Sequence, residues 1–330
     1  MFSQIFVERA LVDHPQAHKI LKQFQALPVH VIEQYDHVWG KFKKPYLLKR
    51  EDLSLFLAQK KGQLIKLAPD AYGHGKEKHF YFIHAYNCIY ECEYCYLQGY
   101  FSTPDLVVFL NHEDIIKEME SILKEDPDAW FHAGEFSDSL ALSHLTGELS
   151  VYFDFFRSHP QAHLELRTKS VNLKALKMLE PLQNVIVSFS LSPDYMARRV
   201  DQKAPSLKAR IRAMKELEES GFRLAIHLDP IIAVDEFEEL YRGLFAELSE
   251  HDLLKDLHYV SIGVVRFTDE VMGEVKRNYP QSLLLAQNFL KAQDNKIKYP
   301  APYRKHVLDT VYDLGLRAGL RRDQLYLCME

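Results

Sequence analysis

Three of the chain's four cysteines fall within eight residues, in the run Tyr86-Asn87-Cys88-Ile89-Tyr90-Glu91-Cys92-Glu93-Tyr94-Cys95-Tyr96. The spacing is C-x3-C-x2-C. Three thiolates on one short loop can each take one iron of a cubane [4Fe–4S] cluster, which leaves the fourth iron open to another ligand. Thiolate ligation is ordinary for iron–sulfur clusters, although this spacing differs from the common ferredoxin runs. Zinc is the competing reading; it needs four ligands, and His84 or the distant Cys328 would have to complete the set. A disulfide is disfavoured, because four cysteines in 330 residues and a start without secretory character do not suggest an oxidising compartment. Asn87, Glu91 and Glu93 keep the loop polar, which argues against an apolar loop that holds cysteines by coincidence.

The rest of the composition suits a globular protein with a full core: 47% of residues are hydrophobic and 26% charged. At 330 residues the chain has room for one large domain or two. Met1 to Arg9 shows no basic region followed by a long apolar run, and no apolar run reaches membrane-spanning length. The expectation is a cytoplasmic protein with no membrane partner. The net charge of −5 supplies no global basic field toward nucleic acid, so DNA binding would need a local basic groove.

Along the chain, residues 1–75 read as a small mixed α/β segment, with a helix over Gln16 to Ala26 and a strand over Val29 to Ile32. Leu67 to Gly75 carries turn signals and reads as a boundary. Beyond it strands and amphipathic helices alternate. Strands are expected at His79–His84, Ala129–His132, His163–Arg167, Val185–Ser190, Phe222–Leu228 and Leu257–Val264, with a last short one at Gln324–Cys328. Helices are expected at His112–Glu125, Leu142–Phe156, Asn172–Leu179, Leu207–Glu219, Phe237–Leu248, Ser282–Gln293 and Tyr303–Ala318. Such alternation means a parallel sheet with right-handed crossovers. Six units do not make eight, so the fold class is α/β, a partial (β/α)6 barrel over residues 76–330 with a C-terminal extension. In such barrels chemistry sits at the C-terminal ends of the strands, where the cysteine loop falls.

The cysteine loop closely resembles that of the radical SAM superfamily. There the open iron binds the amino and carboxylate groups of S-adenosylmethionine (SAM), and an electron from the cluster cleaves a C–S bond to give a 5′-deoxyadenosyl radical. Cys95-Tyr96-Leu97-Gln98, with Tyr94 before it, resembles the spore photoproduct lyase family. So do, in order, Ser137-Asp138, His144-Leu145-Thr146, Thr168-Lys169, Phe189-Ser190, Pro230-Ile231, Arg266-Phe267-Thr268 and Asn278-Tyr279-Pro280. The resemblance is strong from about residue 75 onward and weak before it. It implies a radical SAM barrel, a [4Fe–4S] cluster on Cys88, Cys92 and Cys95, SAM as cofactor, and an electron donor such as flavodoxin or ferredoxin. The implied activity is lyase repair of a methylene-bridged thymine dimer in DNA: the adenosyl radical takes hydrogen from C6 of one base, the bridge fragments, and hydrogen is returned.

The resemblance also assigns residues. Lys169, at a strand end, would meet the SAM carboxylate as a point cation. Ser137 and Ser190 would hydrogen-bond SAM, and Glu135, in Ala133-Gly134-Glu135, would face its ammonium group. Tyr94 and Tyr96 correspond to tyrosines that return hydrogen to the product radical. One position departs. The family has a hydrogen-donating cysteine two residues before the Ser-Asp pair, where this chain has Glu135, and a carboxyl group is a poor hydrogen-atom donor. Cys328 is the one remaining thiol, either a buried structural residue or, on a strand parallel to the barrel, a donor on the catalytic face. Other residues have two readings each. His227 and Asp229 could meet substrate, His227 equally being a core histidine; Arg266 could meet a phosphate or form a surface ion pair. Lys41-Phe42-Lys43-Lys44-Pro45-Tyr46 could touch a nucleic-acid backbone or be a solvated loop. Rival functions are a radical SAM enzyme acting on another nucleobase, nucleoside or small molecule, and a non-catalytic, metal-stabilised nucleic-acid-binding protein.

Overall fold

The computed structural model describes residues 2–69, 72–73 and 75–328. Among these residues, seven strands run parallel in one sheet: His79–Phe82, Trp130–Ala133, His163–Thr168, Val185–Ser190, Arg223–Ile231, Val260–Val264 and Leu325–Leu327. They pair in chain order. Ile65–Leu67 adds an antiparallel strand at the first edge, and the two outer strands do not pair, so the barrel stays open. All seven correspond to strands expected from the alternation.

Side-chain alternation explains the layering. Along Val185–Ser190, Val185, Val187 and Phe189 pack into the large core shared with the helices, while Ile186, Ser188 and Ser190 point the other way, into the barrel. A fully buried Val or Phe on the outer face contributes about 1.5–3 kcal/mol. The barrel interior is polar at mid-height. There the Glu165 carboxylate bonds His132 Nδ1, accepts from Ser188 Oγ at 2.5 Å, and meets His227 Nε2 at 2.6 Å and Arg167 at 3.3 Å. Burial alone would raise this carboxyl. Arg167, His227 and His132 overcome that and hold it well below its ordinary range. His227 is therefore a core histidine, 1% exposed and bonded through Nε2 alone, its buried Nδ1 having no partner among the described residues.

The division expected at residue 75 is not where the sheets divide. A second sheet combines Phe2–Glu8, Val29–Ile32 and Leu53–Ala58 with Leu106–Phe109 and Ala85–Tyr86, two strands from beyond residue 75. Ile65–Leu67, from before it, joins the barrel. The stretch between the first two barrel strands thus returns to the N-terminal sheet, which clasps the cysteine loop from the side. The run expected as one helix over Leu142–Phe156 is broken at Gly147, whose φ of +71° is left-handed, into Ser143–Thr146 and Glu148–Ser158. Of the helix expected over Ser282–Gln293, only a 3-10 turn at Leu283–Ala286 forms; a small hairpin, Leu290–Lys291 with Ile297–Lys298, follows. Asn172–Leu179 likewise keeps only the 3-10 turn Leu176–Met178. Among the described residues, no helix is long and apolar enough to cross a membrane.

Candidate active site at the barrel mouth

The loop after the first barrel strand is held in shape from behind. Asn87 sits at φ +63°, a conformation Asn tolerates better than most residues. Its buried amide donates to the carbonyls of Thr103 and Asp105, both at 2.8 Å. Glu91 is 1% exposed and receives Arg50 Nε at 2.8 and 2.9 Å and Tyr279 Oη at 3.1 Å. Glu93 is 8% exposed and receives Ser282 Oγ at 2.5 Å. Lys49 Nζ donates to the Tyr90 carbonyl at 2.5 Å. The acids that make the loop polar in sequence are therefore its buried clamps. A short antiparallel pairing of Glu91–Cys92 with Asp201–Gln202 closes the frame.

These constraints turn Cys88, Cys92 and Cys95 into a single cavity of about 780 Å³. That volume suits a cofactor and a small substrate together. Tyr94, Tyr96, Glu135, Ser137, Lys169 and Ser190 line the same cavity, so nine of the ten residues read as cluster ligands, SAM contacts or hydrogen donors meet there. Cys328 is the exception. Its strand is parallel to Val260–Val264, as expected, and its N–H bonds the Ile262 carbonyl at 2.8 Å. The side chain, however, is 7% exposed and packs below the mouth with Ile186, Ala225, Tyr259 and Tyr326. It is not among the residues lining the cavity. Asp229 and Arg266 do line it, 3.6 Å apart. The basic stretch is partly spent on the fold: Lys44 pairs with Asp105, Lys43 meets Glu274 at 2.7 Å, and Tyr46 is buried.

Two anchors have no role assigned from the sequence, although Asp138 belongs to the Ser137-Asp138 pair. Asp138 accepts from Leu140 N, Ala141 N, Thr168 Oγ1 and Lys169 N at 2.7–3.0 Å, tying the loop after one barrel strand to the end of the next. Arg210, fully buried, donates to Asp201 at 2.7 Å, to the Ser190 carbonyl at 2.9 Å and to the Pro205 carbonyl at 2.9 Å. Asp201 also receives the Tyr94 hydroxyl. Lys169 Nζ lies 5.4 Å over the Tyr94 ring. Burial opposes the Lys169 charge, but Cys92, when ionised, and Asp201 more than offset this and raise it above its ordinary value. Gly134 has φ +102°, and a Cβ there would stand 2.8 Å from Ser139 Oγ and 3.0 Å from the Arg167 carbonyl. Only glycine makes this turn, and the turn delivers Glu135 to the cavity. The Glu135 carboxylate receives the Tyr72 hydroxyl, and Tyr96 Oη reaches both the Glu135 carbonyl and its carboxylate, the latter at 3.4 Å. Tyr72 had no sequence signal, because it lies in the turn-rich segment before the barrel.

The thiols suit an iron–sulfur cluster. Burial pushes Cys88 up to about 12 and Cys92 higher still, so both need a strong nearby cation to ionise. Among the described residues, no three His, Cys, Asp or Glu side chains gather tightly enough for a single ion. A cubane makes no such demand, since each thiolate meets a different iron.

An open parallel barrel with a three-cysteine loop at the mouth of its first strand defines a protein of the radical SAM type. Within that class, the chain belongs to the spore photoproduct lyase family: the family model described as "Spore photoproduct lyase" matches residues 1–301. The spore photoproduct lyase of Bacillus subtilis (strain 168) is 28% identical over 206 residues, which cover 61% of this chain and 60% of that protein. The matched stretch thus spans less than two thirds of the B. subtilis relative. The Clostridium acetobutylicum counterpart is 20% identical over 291 residues, covering 86% of this chain and 84% of its own length. Among solved structures, a spore photoproduct lyase complexed with dinucleoside spore photoproduct superposes with a TM-score of 0.84 at 18% identity, covering 99% of this chain and 98% of that one. A variant with bound AdoMet and the same dinucleoside gives 0.83 at 19% identity, with the same coverage. At these identities the superpositions speak for the fold.

Proposed function

We propose that this protein is a radical SAM lyase that repairs a methylene-bridged thymine dimer in DNA. One observation carries the reading: the three cysteines, Lys169 and Ser190 converge on one cavity at the barrel mouth. Cys88, Cys92 and Cys95 would hold three irons of a [4Fe–4S] cluster. When bound, the cluster supplies the electron that cleaves SAM to a 5′-deoxyadenosyl radical. Lys169 takes the SAM carboxylate, Glu135 the ammonium group, and Ser137 and Ser190 bond the rest of the molecule. Tyr96, Tyr100 and Phe136 give the cavity aromatic walls against which flat bases can stack. Both hydroxyls are bonded, Tyr94 to Asp201 and Tyr96 to the Glu135 carbonyl, but Tyr96 is 38% exposed and so the better placed of the two loop tyrosines to face a substrate. A reductant such as flavodoxin or ferredoxin and a cytoplasmic setting complete the reading.

A second reading, a related radical enzyme acting on another nucleobase, nucleoside or small molecule, draws on a separate observation. Among the described residues, the only thiols lining the cavity are the three of the cysteine loop. Reduced, reconstituted protein incubated with SAM and a synthetic spore-photoproduct dinucleotide separates the two. Repaired thymidylyl-thymidine favours the first reading; SAM cleavage with intact lesion favours the second.

Lys169→Ala should weaken SAM binding by roughly 1.5–3 kcal/mol, the range for a hydrogen bond to a charged group. Its visible iron–sulfur absorption should stay intact, because the residue touches SAM and not iron. Unchanged SAM affinity by equilibrium dialysis would remove Lys169 from the pocket.

A further inference from the structure

The polar layer at mid-barrel fixes what stands above it. Glu165, Ser188 and His227 meet there by direct hydrogen bonds. Side chains two residues apart on a strand share a face. The next inward residues along the same three strands are therefore Arg167, Ser190 and Asp229, and all three line the cavity. They form its floor. Ser190 is taken up by SAM; Arg167 and Asp229 have no part in that. Arg167 is held from beneath, its Nε and Nη2 each 3.3 Å from a Glu165 carboxylate oxygen. Burial opposes its charge, and Glu165 more than offsets this. Among the described residues its Nη1 has no hydrogen-bond partner, so the guanidinium keeps donors for a ligand. The Asp229 carboxylate accepts no hydrogen bond among the described residues, and its ion pair with Arg266 Nη1 is loose, at 3.6 Å. A Cβ at Gly263 would lie 2.9 Å from Asp229 Oδ1, so that glycine leaves the space the carboxylate occupies.

An unspent donor and an unspent acceptor on one floor select the chemistry of what lies on it. A phosphate or carboxylate would meet Arg167 but be repelled by Asp229, and a cation would meet the reverse. A neutral edge that carries both a carbonyl oxygen and an N–H is served by both groups, and a pyrimidine imide is such an edge. We propose that Arg167 and Asp229 read the imide edge of the lesion, Arg167 donating to a ring carbonyl and Asp229 accepting the N3–H. The inference rests on the repair reading above and adds to it the residues that set base choice. A cytosine-derived ring has a bare N3 and an amino group in those places. It would set acceptor against acceptor at Asp229 and donor against donor at Arg167. Polar groups buried without a match are costly, so a floor of this kind discriminates strongly between the two bases.

The test is equilibrium dialysis of synthetic spore-photoproduct dinucleotide against reconstituted, oxidised protein with SAM, which holds the lesion without turnover. Two lesions are compared, the native one and one methylated at both imide nitrogens. Wild type should bind the methylated lesion about tenfold or more weakly, the loss expected for a hydrogen bond to a charged group. Asp229→Ala removes the acceptor and leaves room for a methyl group. It should bind the native lesion about tenfold or more weakly than wild type does, show no further loss on methylation, and keep its SAM affinity. Arg167→Met should weaken both lesions and retain the methylation penalty. Because Glu165 leans on Arg167, circular dichroism and iron–sulfur absorption are read beside it; the Asp229 comparison decides the matter whether or not this variant folds. A methylation penalty as large in Asp229→Ala as in wild type would overturn the imide floor, as would loss of SAM affinity in that variant. Native lesion bound and repaired by wild type with no methylation penalty would overturn the floor alone. Wild type that cleaves SAM but binds neither lesion would overturn it together with the repair reading.

Discussion

Replacing Cys88, Cys92 or Cys95 by Ala should abolish SAM cleavage and strip the iron–sulfur absorption. Each thiol comes from a loop clamped by buried Glu91, Glu93 and Asn87, so neighbouring groups cannot shift to replace it. The same burial that holds Cys88 and Cys92 as thiols away from a cation makes the iron their natural counter-charge. Anaerobically reconstituted wild type should carry about four irons per chain, as a cubane requires. Iron analysis and chromatography of 5′-deoxyadenosine check both effects. Full turnover in any of the three variants would exclude the cluster assignment, and zinc without iron in anaerobically purified protein would point to the other metal.

Loss of Arg210 should be the most damaging single change to stability around the site. The residue is fully exposed to nothing but protein, with its ion pair to Asp201 at 0% and 1% accessibility. Removing one partner of a buried pair leaves an uncompensated charge and typically costs about 3–5 kcal/mol. Arg210→Met would leave Asp201 with Lys169 and the Tyr94 hydroxyl, and would release the Ser190 and Pro205 carbonyls. Urea unfolding of the metal-free variant should show the midpoint falling at unchanged slope. The double variant Arg210→Met with Asp201→Leu should recover part of the loss, because it removes the stranded charge. A single variant as stable as wild type would show that the pair does not hold the mouth together.

The barrel was legible because its strands alternate with helices and their apolar residues recur at a period of two. The cysteine loop was legible because thiols are rare in this chain. What stayed hidden depends on contacts between distant residues. Leu106–Phe109 is a short apolar run whose partner, Leu53–Ala58, lies fifty residues earlier, so nothing local assigns it to the N-terminal sheet. Arg210 sits in a helix with surface charges such as Lys215 and Glu218, which pair with each other; arginine is rarely buried, and the distant Asp201 carboxylate, with the Ser190 and Pro205 carbonyls, makes its burial tolerable. Cys328 shows the opposite limit. Its strand and direction were read correctly, but which wall its side chain joins depends on Tyr259 and Tyr326 filling the space around it. Tyr72 gained meaning only once Gly134 had turned Glu135 toward it.

On the proposed repair reading, every step beyond cofactor binding depends on one event, transfer of a hydrogen atom from the lesion to the adenosyl group. A spore-photoproduct dinucleotide deuterated at C6, incubated with reduced, reconstituted protein and SAM, reads it directly by mass spectrometry. The predicted result is 5′-deoxyadenosine that carries deuterium, formed together with repaired thymidylyl-thymidine. Unlabelled 5′-deoxyadenosine, formed equally with and without the lesion, would contradict it.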